Sequence, residues 1–433
     1  MKLDYGWTDY RDYRCWGPYL SYGQDAATEM IISWQSKFFV LDYVLDYGKT
    51  PECEFRIDGK IEPSALVSVK LSNLDPDSRY YFKISRPEDL QQENQPVYQF
   101  QTGPPNEKKT KFEFCVAADM HARDSNLSSL ITSMKRNAPS TRFLLTIGDC
   151  VTHGGVEEDW QNFFYQISPL LPEVILMNAT GNHDSDHLES YAHFVQTFKH
   201  PYEDIRQGAY YYFIYGNAVF IVLDTDNAGQ TQANQGVISD LQMEWLEMVL
   251  ERYAKSEYWI FICGHHQIYS TGDFGMMNYY DLAYRDLFDE SRVDAVFYGH
   301  DHHFEAYWTG RETEWGGTHY FLVGNTTQPL DTMIRKPHEP GDRRNYQWRG
   351  RTYIYERDGI LDGDLQGGAR NDEFIKKAHM YGILERGINS LEIDGDQCTI
   401  TVYGTENQIY FKQTFKRTGC GKKYHPPEKR QEF

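Results

Sequence analysis

Five short polar segments, each following directly on an apolar run, constrain this chain more than anything else in it. They are Asp119-Met120-His121, Gly148-Asp149, Gly181-Asn182-His183-Asp184, Gly264-His265 and Gly299-His300-Asp301-His302. The runs ahead of them, 112–118, 143–147, 174–179, 258–263 and 294–298, are short and largely apolar, as strands buried on both faces are. A further run of this kind lies at 219–223. Amphipathic stretches separate the runs. The clearest, 239–254, places Leu241, Trp245, Leu246 and Val249 on one helical face. This alternation predicts an α/β sheet covered on both faces. Ligand-binding loops in such sheets gather at the carboxyl ends of the strands, so the five segments are expected at one site.

At 433 residues the chain exceeds the usual length of a single domain. Residues 1–105 read as all-β, with strand-like runs at 18–22, 29–34, 45–48, 67–71, 80–84 and 98–102 divided by turn residues such as Asn73-Leu74-Asp75-Pro76. Residues 103–109 read as the connection to a catalytic region, 110–416. Within that region, 326–378 breaks the rhythm and reads as an insertion. Its stretch 335–351 gathers Arg335, Lys336, Arg343, Arg344, Arg349 and Arg351 against only Glu339 and Asp342. Folded over the site, Arg335, Arg343 and Arg344 would recognise an acidic group of a substrate. A solvated loop is the alternative. Strand-like runs return at 380–384, 391–393, 399–403 and 409–415, and the basic tail 417–433 is expected to be disordered.

Charge narrows the partners. With 43 basic and 63 acidic residues the net charge is −20, so the broad cationic surface of a nucleic-acid binder is missing. No apolar stretch reaches the roughly 18 residues of a membrane span. The opening Met1-Lys2-Leu3-Asp4 has no apolar signal segment, which at face value places the chain in the cytoplasm. Cys115, Cys150 and Cys263 fall in or beside the strand runs and read as buried thiols, leaving Cys15, Cys53, Cys398 and Cys420 as candidates for pairing.

The side chains of the five segments are carboxylates, imidazoles and an amide, a donor set suited to divalent ions. Phosphate-ester hydrolysis uses such a set twice. Two cations about 3.5–4 Å apart, bridged by one carboxylate, clamp the phosphoryl oxygens and supply hydroxide at neutral pH. In their order, the segments resemble the signature of the calcineurin-like metallophosphoesterases, which implies a four-layer α/β/β/α catalytic sandwich. The resemblance implies one ion held by Asp119, His121, Asp149 and His302, and a second held by Asp149, Asn182, His265 and His300. A bridging hydroxide would attack phosphorus in line. It makes His183 the residue that stabilises or protonates the leaving oxygen, with Asp184 orienting His183. His266 adjoins His265 and is the alternative ligand. The segment Gly264-His265-His266-Gln267-Ile268-Tyr269-Ser270 is similar to a family form in which the first His binds metal. His153, His187, His303 and His319 are read as surface or packing residues.

The N-terminal region resembles the fibronectin type III-like sandwich that purple acid phosphatases carry ahead of their catalytic domain. Gly299-His300-Asp301-His302-His303-Phe304-Glu305 is similar to their last motif. Two departures stand out. The first motif ends in His121, and Thr152 stands where those enzymes have the tyrosine that binds ferric iron. A neutral imidazole in place of a phenolate favours two divalent ions, Mn²⁺, Fe²⁺ or Zn²⁺, and a colourless protein. The expected function is metal-dependent hydrolysis of a small phosphate ester, monoester or diester. A non-catalytic binding protein and a nuclease are the alternatives. Relatives with this domain pair are usually exported, which is at odds with the missing signal, and the sequence carries no sign of an oligomeric state.

Overall fold

The computed structural model describes residues 16–85, 96–185, 191–226, 238–270, 278–310, 317–326, 343–348, 351–356, 378–418 and 423–424. Its N-terminal part is an antiparallel sheet of β1 (Trp16–Tyr22), β2 (Met30–Gly48), β3 (Phe55–Leu71), β4 (Arg79–Ser85) and β5 (Tyr98–Gln101). The runs expected separately at 29–34 and 45–48 form the single strand β2. Its register slips twice between Gln35 and Asp42, so its first half pairs with β1 and its second with β4. Bulges of this kind let one strand turn a corner.

The chain then runs through β6 (Phe112–Ala117), α1 (Ser128–Asn137), β7 (Thr141–Ile147), α2 (Glu157–Ile167), β8 (Ile175–Ala179), α3 (Ala192–Thr197), β9 (Tyr211–Tyr215), β10 (Ala218–Val222), α4 (Asp240–Tyr253), β11 (Trp259–Cys263), α5 (Asn278–Glu290) and β12 (Ala295–Tyr298). It closes with β13 (Phe304–Trp308), β14 (His319–Val323), β15 (Arg343–Trp348), β16 (Arg351–Glu356), β17 (His379–Ile383), β18 (Gly387–Asp394), β19 (Gln397–Gly404), β20 (Ile409–Thr418) and β21 (Lys423–Tyr424). Two seven-stranded sheets result, in the orders β21-β20-β19-β18-β6-β7-β8 and β17-β13-β14-β12-β11-β10-β9. The strands that precede the five segments are parallel neighbours within each sheet, β6-β7-β8 in one and β11-β12 in the other.

The sheets pack face to face. Phe114 of β6 meets Phe220 of β10 at 5.1 Å and Phe261 of β11 at 5.9 Å between ring centroids. The outer face of the first sheet lies under α1 and α2 through Leu130, Ile131, Trp160 and Phe163. The outer face of the second lies under α4 and α5 through Trp245, Leu246, Val249 and Phe288. The order of layers is helix, sheet, sheet, helix, and burial on both faces explains why these strands lack a polar alternation.

Several expectations need correcting. In α4, Ser239 Oγ caps the helix by accepting from the Gln242 N–H, but Leu241 points to solvent at 51% exposure. Gln242 takes the buried place because its amide bonds both the N–H and the carbonyl of Asp224. The connection 103–109 is pinned: Gly103 N–H donates to Ala26 O at 2.7 Å and Glu107 N–H to Gly216 O at 3.0 Å. Trp16 of β1 stacks on Phe164 of α2 at 4.0 Å, so the N-terminal sheet is packed onto the catalytic layers. The tail does not begin at 417, since β20 runs to Thr418 and Arg417 pairs with Tyr424 of β21. Cys115, Cys150 and Cys263 are buried thiols, and Cys53 and Cys398 are buried without a disulfide; Cys15 and Cys420 lie outside the described residues.

Candidate metal centre

Each of the five segments sits at the carboxyl end of its strand, and the backbone of each holds the next. Asp119 N–H donates to Gly148 O and His121 N–H to Asp149 O, which continues the pairing of β6 with β7 past the end of the sheet. The second sheet reaches across to the first. His300 N–H donates to both carboxylate oxygens of Asp119, at 3.1 and 3.0 Å, and His265 Nδ1–H donates to Ile147 O at 2.8 Å. Glycine is needed where these loops meet. Gly148 has φ +79°, and a Cβ there would lie 2.5 Å from His265 Nδ1. A Cβ on Gly181 would lie 2.2 Å from Asp149 Oδ1.

The atoms that result have the chemistry of metal ligands. With Nδ1–H committed to Ile147 O, His265 turns Nε2 toward Asn182 Oδ1 at 3.1 Å and Asp149 Oδ2 at 3.2 Å. His300 Nδ1 approaches the same Asn182 oxygen at 3.0 Å. On the other side, His121 Nε2 and His302 Nε2 are 3.3 Å apart, with Asp149 Oδ2 3.6 Å from the former and Asp119 Oδ1 3.6 Å from the latter. Donors bound to one ion at about 2.1 Å lie about 3.0–3.5 Å from each other, so these spacings suit a shared cation. Asp119, His121 and His302 form one ligand group and Asp149, His265 and His300 another, with Asp149 also grouped with His121 and His183.

Electrostatics agree with the geometry. Burial pushes the Asp119 carboxyl well above the usual range. Burial acts the same way on Asp149, but the imidazoles of His265 and His183 outweigh it and hold Asp149 well below that range. Burial lowers His265, yet Asp149 overrides it and pulls this imidazole up to about 10, so a proton occupies the place of a cation. Burial pushes His121 down to about 4 and His302 to about 3, which keeps both as neutral ligands.

The structure brings together Asp119, His121, Asp149, Asn182, His183, His265, His300 and His302. His266 instead turns Nδ1 to the Thr225 hydroxyl at 3.0 Å, and burial pushes it down to about 3. Asp184 corrects the sequence reading. Its carboxylate accepts from the N–H groups of Cys150, Val151 and Gly181, stapling the loops after β7 and β8, while His183 Nδ1–H donates to Thr152 O at 2.8 Å. The backbone of Thr152 therefore orients His183. Arg343 and Arg344 lie on β15, and Arg335 and His187 lie outside the described residues. His303 and His319 are packing residues: His303 Nε2 is 3.4 Å from the buried Glu305, and His319 stacks on Phe415 at 4.3 Å. His153 holds Asp159 at 3.1 Å.

Sequence reasoning missed a sixth strand-end segment, Asp224-Thr225-Asp226 after β10. Asp224 accepts from Ala209 N–H and the Tyr191 hydroxyl, and Thr225 holds His266. The signal was present, since these residues follow the run 219–223 as the other segments follow theirs.

The comparisons point the same way. The family described as calcineurin-like phosphoesterase matches residues 112–304, and the purple acid phosphatase N-terminal domain matches 16–102. An uncharacterized protein of Mycobacterium tuberculosis is 24% identical over 337 residues, covering 67% of this chain and 61% of its own length. The purple acid phosphatase PPD1 from yellow lupin (Lupinus luteus) seeds superposes with a TM-score of 0.67 at 16% identity, over 93% of this chain and 74% of that one. The structure of PhoD does so with 0.62 at 13% identity, over 97% and 93%. The chain spans about three fifths of the length of the first curated relatives it matches. No helix among the described residues is long and apolar enough to cross a membrane. With its candidate ligand groups on the strand ends of a two-sheet sandwich, the chain carries a calcineurin-like phosphoesterase domain over residues 112–304 and, ahead of it, a purple acid phosphatase N-terminal domain.

Proposed function

We propose that this chain hydrolyses small phosphate esters with two divalent metal ions held at its strand ends. One observation carries the reading: two sets of metal-binding side chains share Asp149, and within each set neighbouring donor atoms lie 3.0–3.6 Å apart. Asp119, His121, Asp149 and His302 would hold one ion, and Asp149, Asn182, His265 and His300 the other. Such a pair, when bound, supplies charge to clamp the phosphoryl oxygens and a hydroxide nucleophile at neutral pH.

The chain's own part is position and proton control. Asp149 sets the spacing of the two halves. Its Oδ1 accepts from His183 N–H at 2.9 Å, which ties the His183 backbone to the bridge. With Nδ1–H on Thr152 O, His183 keeps Nε2 for the leaving oxygen; in its imidazolium form it would give the Nε2 proton to that oxygen, so that the ester group departs as the alcohol and His183 is left neutral. Thr152 brings no phenolate to the site, so Mn²⁺, Fe²⁺ or Zn²⁺ fit the ligand set and no tyrosinate colour is expected.

Reconstitution with Mn²⁺ or Zn²⁺ should load two ions per chain and give activity on p-nitrophenyl phosphate or its bis ester that chelation abolishes. The ratio of the two esters assigns monoester or diester preference. Hydrolysis indifferent to chelation, or fewer than one ion bound, would end the reading.

A further inference from the structure

Arg386, in the turn between β17 and β18, is half-buried and makes three hydrogen bonds, all to backbone carbonyls. Nε and Nη2 donate to Thr326 O at 3.1 and 3.0 Å, and Nη2 donates to Asn126 O at 3.0 Å. Among the described residues no carboxylate pairs with it, and burial alone pushes its pKa down. Carbonyls satisfy N–H groups but do not neutralise a charge, and a desolvated guanidinium without a counterion is costly. Nη1 has no hydrogen-bond partner among the described residues. The Thr326 hydroxyl, fully buried, has none either.

The place matters as much as the charge. Asn126 follows the loop that carries Asp119 and His121, and Thr326 lies three residues past the end of β14. A Cβ on Gly324, two residues before Thr326, would lie 2.7 Å from Asp119 Oδ2. Arg386 thus clasps two loops that border the Asp119 half of the centre. We propose that Arg386, with the Thr326 hydroxyl beside it, forms an anion subsite that takes a second acidic group, phosphate or carboxylate, on the substituent of the ester. This rests on the dimetal reading, because the two loops that Arg386 joins adjoin the candidate ligand Asp119. Both N–H bonds of Nη2 are taken by the two carbonyls, so Nη1, with two N–H bonds unused among the described residues, is the nitrogen left to donate to such a group.

The test uses the metal-loaded full chain and calorimetric titration of phosphonates that are not hydrolysed. Phosphonoacetate and 3-phosphonopropionate carry a second acidic group, and methylphosphonate does not. The parent should bind one of the two-acid probes about tenfold more tightly than methylphosphonate. Arg386→Gln should erase that difference and leave methylphosphonate binding within about twofold, while Arg386→Lys should keep part of it. A parent that does not distinguish the probes, or an Arg386→Gln variant that still does, overturns the subsite. So does a variant that weakens all three probes equally, because that marks a structural clasp. Failure of methylphosphonate to bind would count against the dimetal reading instead. A second measurement then decides on Arg386: sulfate should slow its modification by phenylglyoxal several-fold, read by mass spectrometry of the full chain, and unchanged labelling overturns the proposal whatever the centre does.

Discussion

The N-terminal sheet and the candidate metal centre both contain non-glycine residues with left-handed backbone, and they sustain it differently. Asn73 (φ 58°) and Asp77 (φ 48°) lie exposed in a turn between β3 and β4. Short polar side chains tolerate that conformation, so the strain is small and local. Asp119 (φ 56°), His121 (φ 40°), Asp149 (φ 53°) and His300 (φ 74°) are all buried candidate ligands. Each such residue costs about 1–3 kcal/mol and persists only where the surroundings over-determine it. Here the surroundings are hydrogen bonds between loops far apart in the chain, Asp119 to Gly148, His121 to Asp149 and His300 to Asp119. A turn keeps its shape through its own residues, whereas the centre keeps its shape through two whole sheets.

That contrast breaks most visibly at Asp149. Asp149→Asn removes the shared charge and leaves His265 and His121 facing an amide. Hydrolysis should fall by about a thousandfold or more and bound metal to one ion or fewer, a loss of about 4 kcal/mol or more in transition-state stabilisation. Activity within tenfold of the parent would remove the bridging role. A subtler break leaves every ligand in place. Gly181→Ala forces its new Cβ against Asp149 Oδ1 and Asp149 N, at 2.2 and 2.3 Å, where neither atom can retreat without moving the bridge. Overpacking of this kind costs about 1–3 kcal/mol. Metal affinity should drop about ten- to a hundredfold while the protein still folds. In comparison Gly395→Ala, with φ +59° and nothing within 4 Å of the added Cβ, should cost only the local backbone penalty of about 1–2 kcal/mol and leave metal binding alone. Equal effects on metal affinity at both glycines would refute the claim that the loops fix one another.

The buried histidines outside the centre give a smaller, pH-dependent effect. Burial pushes His200 and His319 both down to about 3, against about 6.5 unfolded. Their stabilising contribution is therefore complete above about pH 6.5. It is lost as pH falls toward 3, because the unfolded chain takes up protons that the native state refuses. Each contributes a slope of about 1.4 kcal/mol per pH unit in that window. His319→Phe replaces an imidazole stacked on Phe415 with a ring that does not titrate. Its urea midpoints between pH 6 and pH 4 should fall less steeply than those of the parent by that single-group slope. Parallel slopes would mean that His319 is protonated in the native state.

Strands and candidate ligands are legible because their signals are local: an apolar run, then a polar segment whose side chains have metal-binding chemistry. Pairing is not. The runs at 391–393 and 399–403 are as apolar as many others, and nothing in them says that Leu391 lies opposite Phe114 and extends the first sheet. Partners supplied by the backbone were equally hidden. The resemblance implies that Asp184 orients His183, yet three N–H groups from two loops claim Asp184, and His183 is held by a carbonyl that any residue at 152 would supply. Arg386 left no trace for the same reason, since its bonds go to the carbonyls of Thr326 and Asn126. Leu241 was misplaced by reading hydrophobicity alone where a buried amide, Gln242, fits the helical spacing of Trp245, Leu246 and Val249.

The smallest effect closes the comparison from the other side. At Asn73 the left-handed conformation is exposed, and no side-chain hydrogen bond of Asn73 supports it among the described residues. Asn73→Gly relieves the remaining backbone penalty and adds freedom to the unfolded chain, terms of opposite sign and each about 0.5–1 kcal/mol. Stability should therefore change by no more than about 0.5 kcal/mol, with metal content and activity unaltered. The thermal midpoint and a metal titration on the same preparation would check both halves of the statement. A loss of metal affinity would mean that the turn after β3 is mechanically joined to the strand ends of the catalytic sheets. In that case the N-terminal sheet would have to count as part of the frame that holds Asp119 and His300 in their strained backbone.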